Sequence, residues 1–230
     1  GHLRDEVPER RPRDPALAAD RLTLTEFADS VASAALALSP WEVAAVLLLI
    51  AYLVLAIRQN IWCWAAAFVG TCIYVVLMYQ ARLYMESALQ VFYLGMAVYG
   101  WHHWRHGPGP GNELPVTTWE PMQHVLAITT ILALTFVTGT VFDRYSDAAL
   151  PYLDSFTTWG AIVTTWMVAR KILENWIYWF AIDSVSIYLY VSRELHLTAL
   201  LFVIYLVLIV FGYLAWRKEL EPRASVQAAA

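Results

Sequence analysis

Apolar and polar residues follow one another in long blocks along this chain. A polar N-terminal extension, residues 1–39, precedes a series of mainly apolar blocks that short polar segments separate. Each block is close to the roughly 20 residues that an α-helix needs to cross the hydrocarbon core of a bilayer. The pattern predicts seven transmembrane helices, at Trp41–Ile57, Asn60–Tyr79, Tyr84–Trp104, Pro121–Phe142, Tyr152–Ala169, Glu174–Val191 and Leu197–Trp216.

Two interruptions divide these helices into groups. Residues 105–120 contain the run Gly107–Gly111, in which glycine and proline alternate and no helix continues. A shorter break lies at 143–151. We therefore predict four membrane and linker units and a tail: a first triple-helix bundle at 40–104, a Gly/Pro linker at 105–120, a connecting helix at 121–142, a second triple-helix bundle at 143–218 and a C-terminal tail at 219–230.

The two groups of three helices resemble each other in sequence. At a shift of 115 residues, Asn60 and Trp64 match Asn175 and Trp179, and Asp183 matches Phe68. At a shift of 112, Tyr93, Gly100, Trp104 and Arg105 match Tyr205, Gly212, Trp216 and Arg217. We interpret the groups as a duplicated unit whose copies cross the membrane in the same direction, because one helix separates them. Transporters built in this way bind substrate between the repeats.

The N-terminal extension is of a different kind. Residues 1–15 are rich in charge and proline, and Ala16–Leu38 is loosely amphipathic. Two interpretations stay open for the second part: an interfacial helix that lies on the membrane surface, and a flexible extension.

Composition and charge support a membrane protein. Of the 230 residues, 60% are hydrophobic and 15% are charged, which excludes an ordinary soluble domain. The opposite short loops carry only Arg82, Arg144 and Arg193, whereas the loops that follow the first, third, fifth and seventh helices carry seven basic residues: Arg58, Arg105, Arg170, Lys171, Arg217, Lys218 and Arg223. The side with seven basic residues is predicted to be cytoplasmic, so the C-terminus lies inside.

The segment Glu174–Asp183, ENWIYWFAID, is unusually polar and aromatic for a membrane helix. Asn175, Trp179 and Asp183 are spaced by four residues and share one helical stripe. A carboxylate near the centre of a transmembrane helix costs about 2.5–3.5 kcal/mol, so Asp183 should face protein or a water-filled cavity. A structural role and direct contact with substrate both remain open for it.

Aromatic and amide side chains suggest how a ligand would bind. Trp41, Trp101, Trp104 and Trp216 lie at predicted helix ends, where anchoring in the membrane interface is the ordinary role. Trp64 and Trp176 flank the paired amides instead, and indole faces there suit a flat, cationic ring. On the third helix, Glu86, Gln90 and Tyr93 continue one face; Gln90 is predicted to line the pathway, and Glu86 to lie near the outer end.

No enzymatic motif accompanies this pattern. Cys63 and Cys72 are interpreted as core thiols. His102, His103 and His106 lack a matching ligand elsewhere, which favours a solvated patch over a metal site. The sequence has no phosphate-binding glycine loop, nucleophile elbow or zinc motif. We therefore expect neither enzymatic activity nor a cofactor, metal ion or nucleic acid partner.

Three segments resemble the PnuC family of bacterial nicotinamide riboside transporters. They are Val168–Asp183, which contains the element NWxxW, and the runs WCWAAAFVG and ESALQVFYLGMAVYGWHHWR of the first repeat. The resemblance covers Trp41–Lys218. It implies an all-α, SWEET-like arrangement of three, one and three helices, a homotrimer in the bacterial inner membrane, and substrate contacts from Asn175, Trp176 and Trp179.

The function implied by this resemblance is uptake of nicotinamide riboside across the lipid bilayer by facilitated diffusion. Cytoplasmic phosphorylation would then trap the product. Related transporters of thiamine, riboflavin or deoxynucleosides remain the alternative. The full candidate site comprises Asn60, Trp64, Glu86, Gln90, Tyr93, Asn175, Trp176, Trp179 and Asp183.

Overall fold

The computed structural model describes residues 24–80, 84–109, 113–146 and 150–227. In these ranges the chain is helical throughout, apart from the connections. The helices are α1 (Leu24–Ala37), α2 (Pro40–Ile57), α3 (Trp62–Gln80), α4 (Tyr84–Arg105), α5 (Pro121–Tyr145), α6 (Pro151–Ala169), α7 (Asn175–Ser192) and α8 (His196–Gln227).

Each predicted membrane helix has a counterpart among α2–α8, with ends that differ by a few residues. The structure adds α1 inside the polar extension. For this loosely amphipathic stretch, the sequence had allowed either a helix or a flexible extension. The structure also continues α8 to Gln227, through most of the predicted tail. Residues 1–23 and 228–230 lie outside the described part of the chain.

Local chemistry fixes several helix starts. At α2, the Ser39 side chain accepts from the Glu42 backbone N–H while the Glu42 carboxylate accepts from the Ser39 N–H, and Pro40 occupies the first turn. Pro121 and Pro151 start α5 and α6 in the same way, because a proline in the first turn loses no helical hydrogen bond.

The exterior of the bundle is apolar. By length and hydropathy, α2, α3, α5 and the His196–Leu220 part of α8 are each able to cross a membrane. Their outward faces expose large aliphatic side chains such as Leu47, Val76, Val125 and Val207. Backbone groups are satisfied within helices, as a lipid environment requires. The chain is therefore an all-helical, multi-pass membrane protein.

The helix ends recur along the chain at a single shift of 112 residues. The C-terminal ends of α2 and α3 match those of α6 and α7, and the start of α4 matches the start of α8. The loops at 58–61 and 170–173 also repeat the same backbone hydrogen bonds, including Asn60 N–H to Leu55 O at 2.9 Å and Ile172 N–H to Met167 O at 3.0 Å. Packing follows the same rule, because α4 contacts α6 as α8 contacts α2.

This geometry corrects the shift of 115 that matched Asn60 with Asn175 and Trp64 with Trp179. At 112, Trp64 corresponds to Trp176, and Asn175 corresponds to Cys63. Gln59 and Lys171, which occupy the same position in the two loops, share a left-handed backbone with φ of 53° and 52°. At the shift of 112, Asp183 corresponds in the repeat to the buried Thr71 and not to the exposed Phe68.

The predicted Gly/Pro linker is partly folded against the bundle. Thr117 donates its N–H to the Lys171 carbonyl oxygen (3.0 Å) and accepts from the Leu173 N–H (2.8 Å), forming an isolated bridge with the α6–α7 loop. The Trp119 N–H donates to the Glu174 carboxylate at 3.3 Å. The second half of the linker thus fixes the loop from which α7 starts.

Candidate functional site

The buried face of α7 carries the polar residues that the sequence singled out. Asn175, Trp176, Asp183 and Ser186 are buried, whereas Phe180 is exposed. Asp183 has an exposed fraction of only 3%, so it faces protein, as the cost of a lipid-facing carboxylate requires. Trp179 is half-buried and lies one turn before Asp183 on the same face.

The first residues of α7 lie at one end of the bundle and not at its centre. We call this the basic end, because Arg58, Arg105, Arg170 and Arg217 border it. Asn175 is the first residue of α7, and Asp183 lies eight residues further, about 12 Å deeper along the helix. The candidate residues of α7 therefore form two levels, one at the basic end and one near mid-bundle.

A chain of four indoles, which we call the tryptophan quartet, fills the basic end: Trp64, Trp104, Trp216 and Trp176. Successive ring centroids lie 5.6, 6.1 and 5.3 Å apart, and the outer two pairs are edge-to-face with interplanar angles of 87° and 89°. The quartet belongs to a buried hydrophobic cluster of the described residues. Because Trp64 matches Trp176 and Trp104 matches Trp216 at the 112-residue shift, the row of four indoles is symmetric about its middle.

Two of these residues correct the sequence interpretation. Trp104 and Trp216 were expected to anchor the chain in the membrane interface, yet their exposed fractions are 5% and 0%. The Trp104 indole N–H donates to the Val168 carbonyl oxygen at 3.3 Å, and the Trp216 indole N–H donates to the Ala56 carbonyl oxygen at 3.0 Å. Trp41, in contrast, is exposed at its helix end, as an interface anchor should be.

Two glycines make room for the other two indoles. A Cβ atom at Gly212 would lie 2.5 Å from the Trp176 ring, and one at Gly100 would lie even closer to the Trp64 ring. Each indole therefore rests directly on the backbone of a neighbouring helix. The pairing of a glycine with a tryptophan is the clearest mark of the repeat, and it explains why both glycines appear in the sequence match at 112.

Polar atoms near the quartet lack protein partners. The Asn175 side chain donates from Nδ2 to the Ile172 carbonyl oxygen at 2.6 Å, but its Oδ1 atom has no hydrogen-bond partner among the described residues. The indole nitrogens of Trp64 and Trp176 are in the same condition within this part of the chain. Buried polar groups are normally paired, so these atoms are suited to contact a ligand or water.

Phenols surround the deeper level. Tyr190 and Tyr205 both lie within electrostatic range of Asp183, and Tyr93 lies within the same range of Tyr190. The Tyr205 hydroxyl is buried without a hydrogen-bond partner among the described residues. Gln90, half-buried, precedes Tyr93 by one turn of α4. The structure thus places Tyr93 near Tyr190, which in turn lies near Asp183, and Tyr205 is a candidate that the sequence alone did not single out.

One predicted site residue, Asn60, is placed away from the site. Asn60 is exposed, and its Oδ1 atom accepts from the Trp62 N–H at 3.0 Å, so it caps the start of α3 at the surface. The physical reason is the corrected shift: the position that corresponds to Asn175 is Cys63, not Asn60. The Glu86 side chain lies outside the described residues.

A lysine joins the two repeats beside the quartet. Lys171 is buried, its ammonium donates to the Gln59 side-chain oxygen at 3.0 Å, and it lies 4.5 Å from the centroid of the Trp104 ring. The sequence placed Lys171 only among the basic residues of a predicted cytoplasmic loop. The sequence signal for this position is the match between Lys171 and Gln59 at the 112-residue shift, because it places both residues at the same position of the two loops.

Comparison with known proteins identifies the family. A family model described as nicotinamide mononucleotide transporter matches residues 39–218. The chain belongs to this family. The predicted resemblance to PnuC proteins is confirmed, and α1 lies outside the matched region.

Two relatives of this chain are named as transporters of different substrates. The riboflavin/roseoflavin transporter RibM of Streptomyces davaonensis is 25% identical over 179 residues, covering 74% of this chain and 83% of RibM. The nicotinamide riboside transporter PnuC of Escherichia coli is 20% identical over 182 residues, covering 68% of this chain and 76% of PnuC.

The fold is also similar to a solved one. The crystal structure of the vitamin B3 transporter PnuC aligns with a TM-score of 0.65 at 20% identity, covering 85% of this chain and 88% of that chain. In this transporter fold, the basic end is filled by buried indoles, and a carboxylate with phenols and a half-buried indole lie deeper in the bundle. These groups have the chemistry to bind and orient a ligand; none of them forms a nucleophile–base arrangement in the described residues.

Proposed function

We propose that this protein transports nicotinamide riboside across the bacterial inner membrane. The observation that carries the proposal is the placement of Trp179 one turn from the buried Asp183 on the inner face of α7. Nicotinamide riboside has a flat ring with a positive charge. An indole face attracts such a ring, and a buried carboxylate compensates its charge. The similarity to Escherichia coli PnuC supports the same substrate.

The ring is proposed to stack on Trp179, with its charge directed toward Asp183. The unpartnered Oδ1 of Asn175 and the side chains of Gln90, Tyr93 and Tyr205 are the proposed hydrogen-bonding groups for the ribose hydroxyls and the carboxamide, since amides and phenols both donate and accept. In this arrangement the second repeat supplies most of the polar recognition. Trp64 and Trp176 would border the site at the basic end.

We further propose that α2–α8 are seven membrane-spanning helices, with α2–α4 and α6–α8 as two parallel triple-helix bundles joined by α5 in a SWEET-like arrangement. The single 112-residue shift supports this proposal. The basic end would be cytoplasmic, because arginines and lysines concentrate there, so the C-terminus would lie inside. The PnuC resemblance further suggests a homotrimer, and α1 would lie at the outer surface.

Transport would proceed by alternating access, with the two bundles rocking about the bound substrate. The proposal includes no coupling ion, so net flux follows the riboside gradient. Phosphorylation of the riboside in the cytoplasm would keep the free concentration low and make uptake continue. Uptake into liposomes that contain a riboside kinase and ATP should therefore exceed uptake into empty liposomes, and it should not respond to an imposed proton gradient.

A binding titration of the purified protein tests the substrate assignment. Nicotinamide riboside should bind, and Trp179→Ala should weaken that binding at least tenfold if stacking contributes the upper part of the range of about 1–3 kcal/mol for an aromatic ring. Trp62→Ala, which removes an exposed indole, is the matched control and should leave the affinity unchanged. Equal affinities for the Trp179 variant and the wild type would contradict the stacking site.

Riboflavin is the second candidate substrate, because RibM is more similar in sequence than Escherichia coli PnuC. The isoalloxazine ring is flat but neutral, so Trp179 would serve it while Asp183 would not. Titration with nicotinamide riboside, riboflavin and thiamine side by side distinguishes these possibilities. Binding of riboflavin alone would overturn the riboside assignment and leave the transporter fold intact.

A further inference from the structure

The two middle indoles of the tryptophan quartet, Trp104 and Trp216, each form a hydrogen bond that exists only when the two repeats are in contact. Trp104 at the end of α4 reaches the Val168 carbonyl oxygen at the end of α6, and Trp216 in α8 reaches the Ala56 carbonyl oxygen at the end of α2. Donor and acceptor positions are each related by 112 residues. The two hydrogen bonds are therefore one contact made twice, in opposite directions, between α2–α4 and α6–α8.

The acceptors of these bonds are carbonyl groups in the last turns of α2 and α6. Carbonyls at a helix C-terminus have no partner within the helix and must find one outside it. Here each receives a loop N–H, from Gln59 or Lys171, as well as the indole. When the repeats separate at this end, the indole N–H loses the carbonyl oxygen as its acceptor, and that oxygen loses the indole as a donor. Each group then forms a hydrogen bond with water instead. Closing and opening therefore replace one set of hydrogen bonds by another of similar strength.

A third bond crosses at the same level. The Lys171 ammonium donates to Gln59 at 3.0 Å, and these residues occupy equivalent positions in the two loops. A pseudo-twofold axis relates the two repeats, and a bond between equivalent residues lies at this axis. A transport pathway along the axis would leave the bundle at this point. Together with the quartet, the Lys171–Gln59 bond covers this point with buried side chains.

We propose that the reciprocal bonds Trp104–Val168 and Trp216–Ala56, together with the Lys171–Gln59 bond, form the gate that closes the transport pathway at the basic end. The bonds are few, they lie between the two helix triplets where α4 contacts α6 and α8 contacts α2, and their acceptors regain water on opening. The described conformation is then the one in which this end is shut. This inference rests on the proposed transport function, whereas its test requires no substrate.

Cys63 is a natural reporter for the gate. Its exposed fraction is 0%, it belongs to the same buried cluster as Trp104 and Trp216, and it lies within electrostatic range of Lys171. A hydrophilic maleimide should react with Cys63 only while the basic end is open. Cys72 lies nine residues further along α3, about 13 Å deeper. It serves as the control thiol.

The experiment measures maleimide labelling rates of full-length protein in detergent, in a Cys72→Ser background for Cys63 and a Cys63→Ser background for Cys72. Trp104→Phe and Trp216→Phe each delete one N–H donor and keep an aromatic ring. Each should raise the labelling rate of Cys63 about fivefold, the effect of losing one net hydrogen bond. The double variant should raise it about 25-fold if the two sites act independently.

Two controls separate gating from general loosening. Trp62→Phe changes an exposed indole at the same end, outside the quartet, and should leave Cys63 labelling at the wild-type rate. The rate for Cys72 should stay constant in every variant, since only the basic end opens. The near equality of the two single variants is a further expectation, because the repeat makes their contacts equivalent.

Two results would overturn the proposal. Unchanged Cys63 labelling in the double variant would mean that the indole bonds do not hold this end shut. Faster labelling of both cysteines in the double variant would mean that the substitutions loosen the whole bundle. A failure to bind nicotinamide riboside, in contrast, would refute the substrate assignment and leave the labelling result unaffected.

Discussion

The contact between Gly100 and Trp64 provides a sharp test of the packing at the basic end. In Gly100→Ala, the added methyl group would overlap the Trp64 indole, and in Gly212→Ala it would lie 2.5 Å from the Trp176 indole. Either ring must shift. Inserting a methyl group into a well-packed core costs about 1–3 kcal/mol. Alanine also gains about 0.5–1 kcal/mol over glycine in a helix, which partly offsets that cost.

Gly95, on the same helix as Gly100, provides the matched comparison. No atom lies within 4 Å of a Cβ placed there, so Gly95→Ala receives the helical gain without the overlap. The helical terms cancel between the two variants. The difference between them should then be the overlap alone, about 1–3 kcal/mol. For a chain of this size that corresponds to a difference in Tm of roughly 2–12 °C.

The assay is thermal unfolding of the three purified variants in one detergent, followed by intrinsic fluorescence. Gly95→Ala should melt at or above the wild-type temperature, and Gly100→Ala and Gly212→Ala below it by similar amounts. Adding Trp64→Phe to Gly100→Ala should recover part of the loss, because a smaller ring leaves room for the methyl group. Identical melting temperatures for Gly95→Ala and Gly100→Ala would refute the close glycine–tryptophan packing.

Three further outcomes are expected. Asp183→Asn should weaken binding of the cationic riboside about tenfold or more, because a buried charge partner is lost; an equal loss for a neutral, reduced riboside measured by calorimetry would contradict this role. His196→Ala should destabilise the docking of α1 by about 1 kcal/mol, because it removes the hydrogen bond to Ser30 (2.9 Å), and faster amide exchange in α1 but not in α5 would show it. Thr117→Pro removes the N–H that donates to the α6–α7 loop, so the Leu173 amide should also exchange faster; protection equal to that of the wild type would mean that the bridge does not fix the loop.

The helices follow from the sequence because their causes are local. Apolar blocks of membrane length, prolines at the first turns and the Gly107–Gly111 break depend only on neighbouring residues, and the structure places α2–α8 accordingly. The NWxxW element was specific enough to indicate the family. The polar face of α7 was also predictable, because a carboxylate cannot be left in lipid without a large cost.

The register of the repeat was less accessible. Shifts of 112 and 115 differ by three residues, which rotates a position by only about 60° around a helix. Trp64 therefore remains on nearly the same face whether it is matched with Trp176 or with Trp179. Sequence similarity could not distinguish the two, whereas the contact of each indole with a glycine of the next helix could.

The sequence by itself thus determined the all-helical membrane class, the approximate positions of α2–α8 along the chain, the family and the face on which Asp183 lies. Only the tertiary structure decided that Trp104 and Trp216 lie inside the bundle, that Lys171 is buried between the repeats and that Asn60 caps a helix at the surface. The physical reason is that a tryptophan at a helix end has the same local sequence whether lipid or another helix lies beside it. Its role depends on what packs against it.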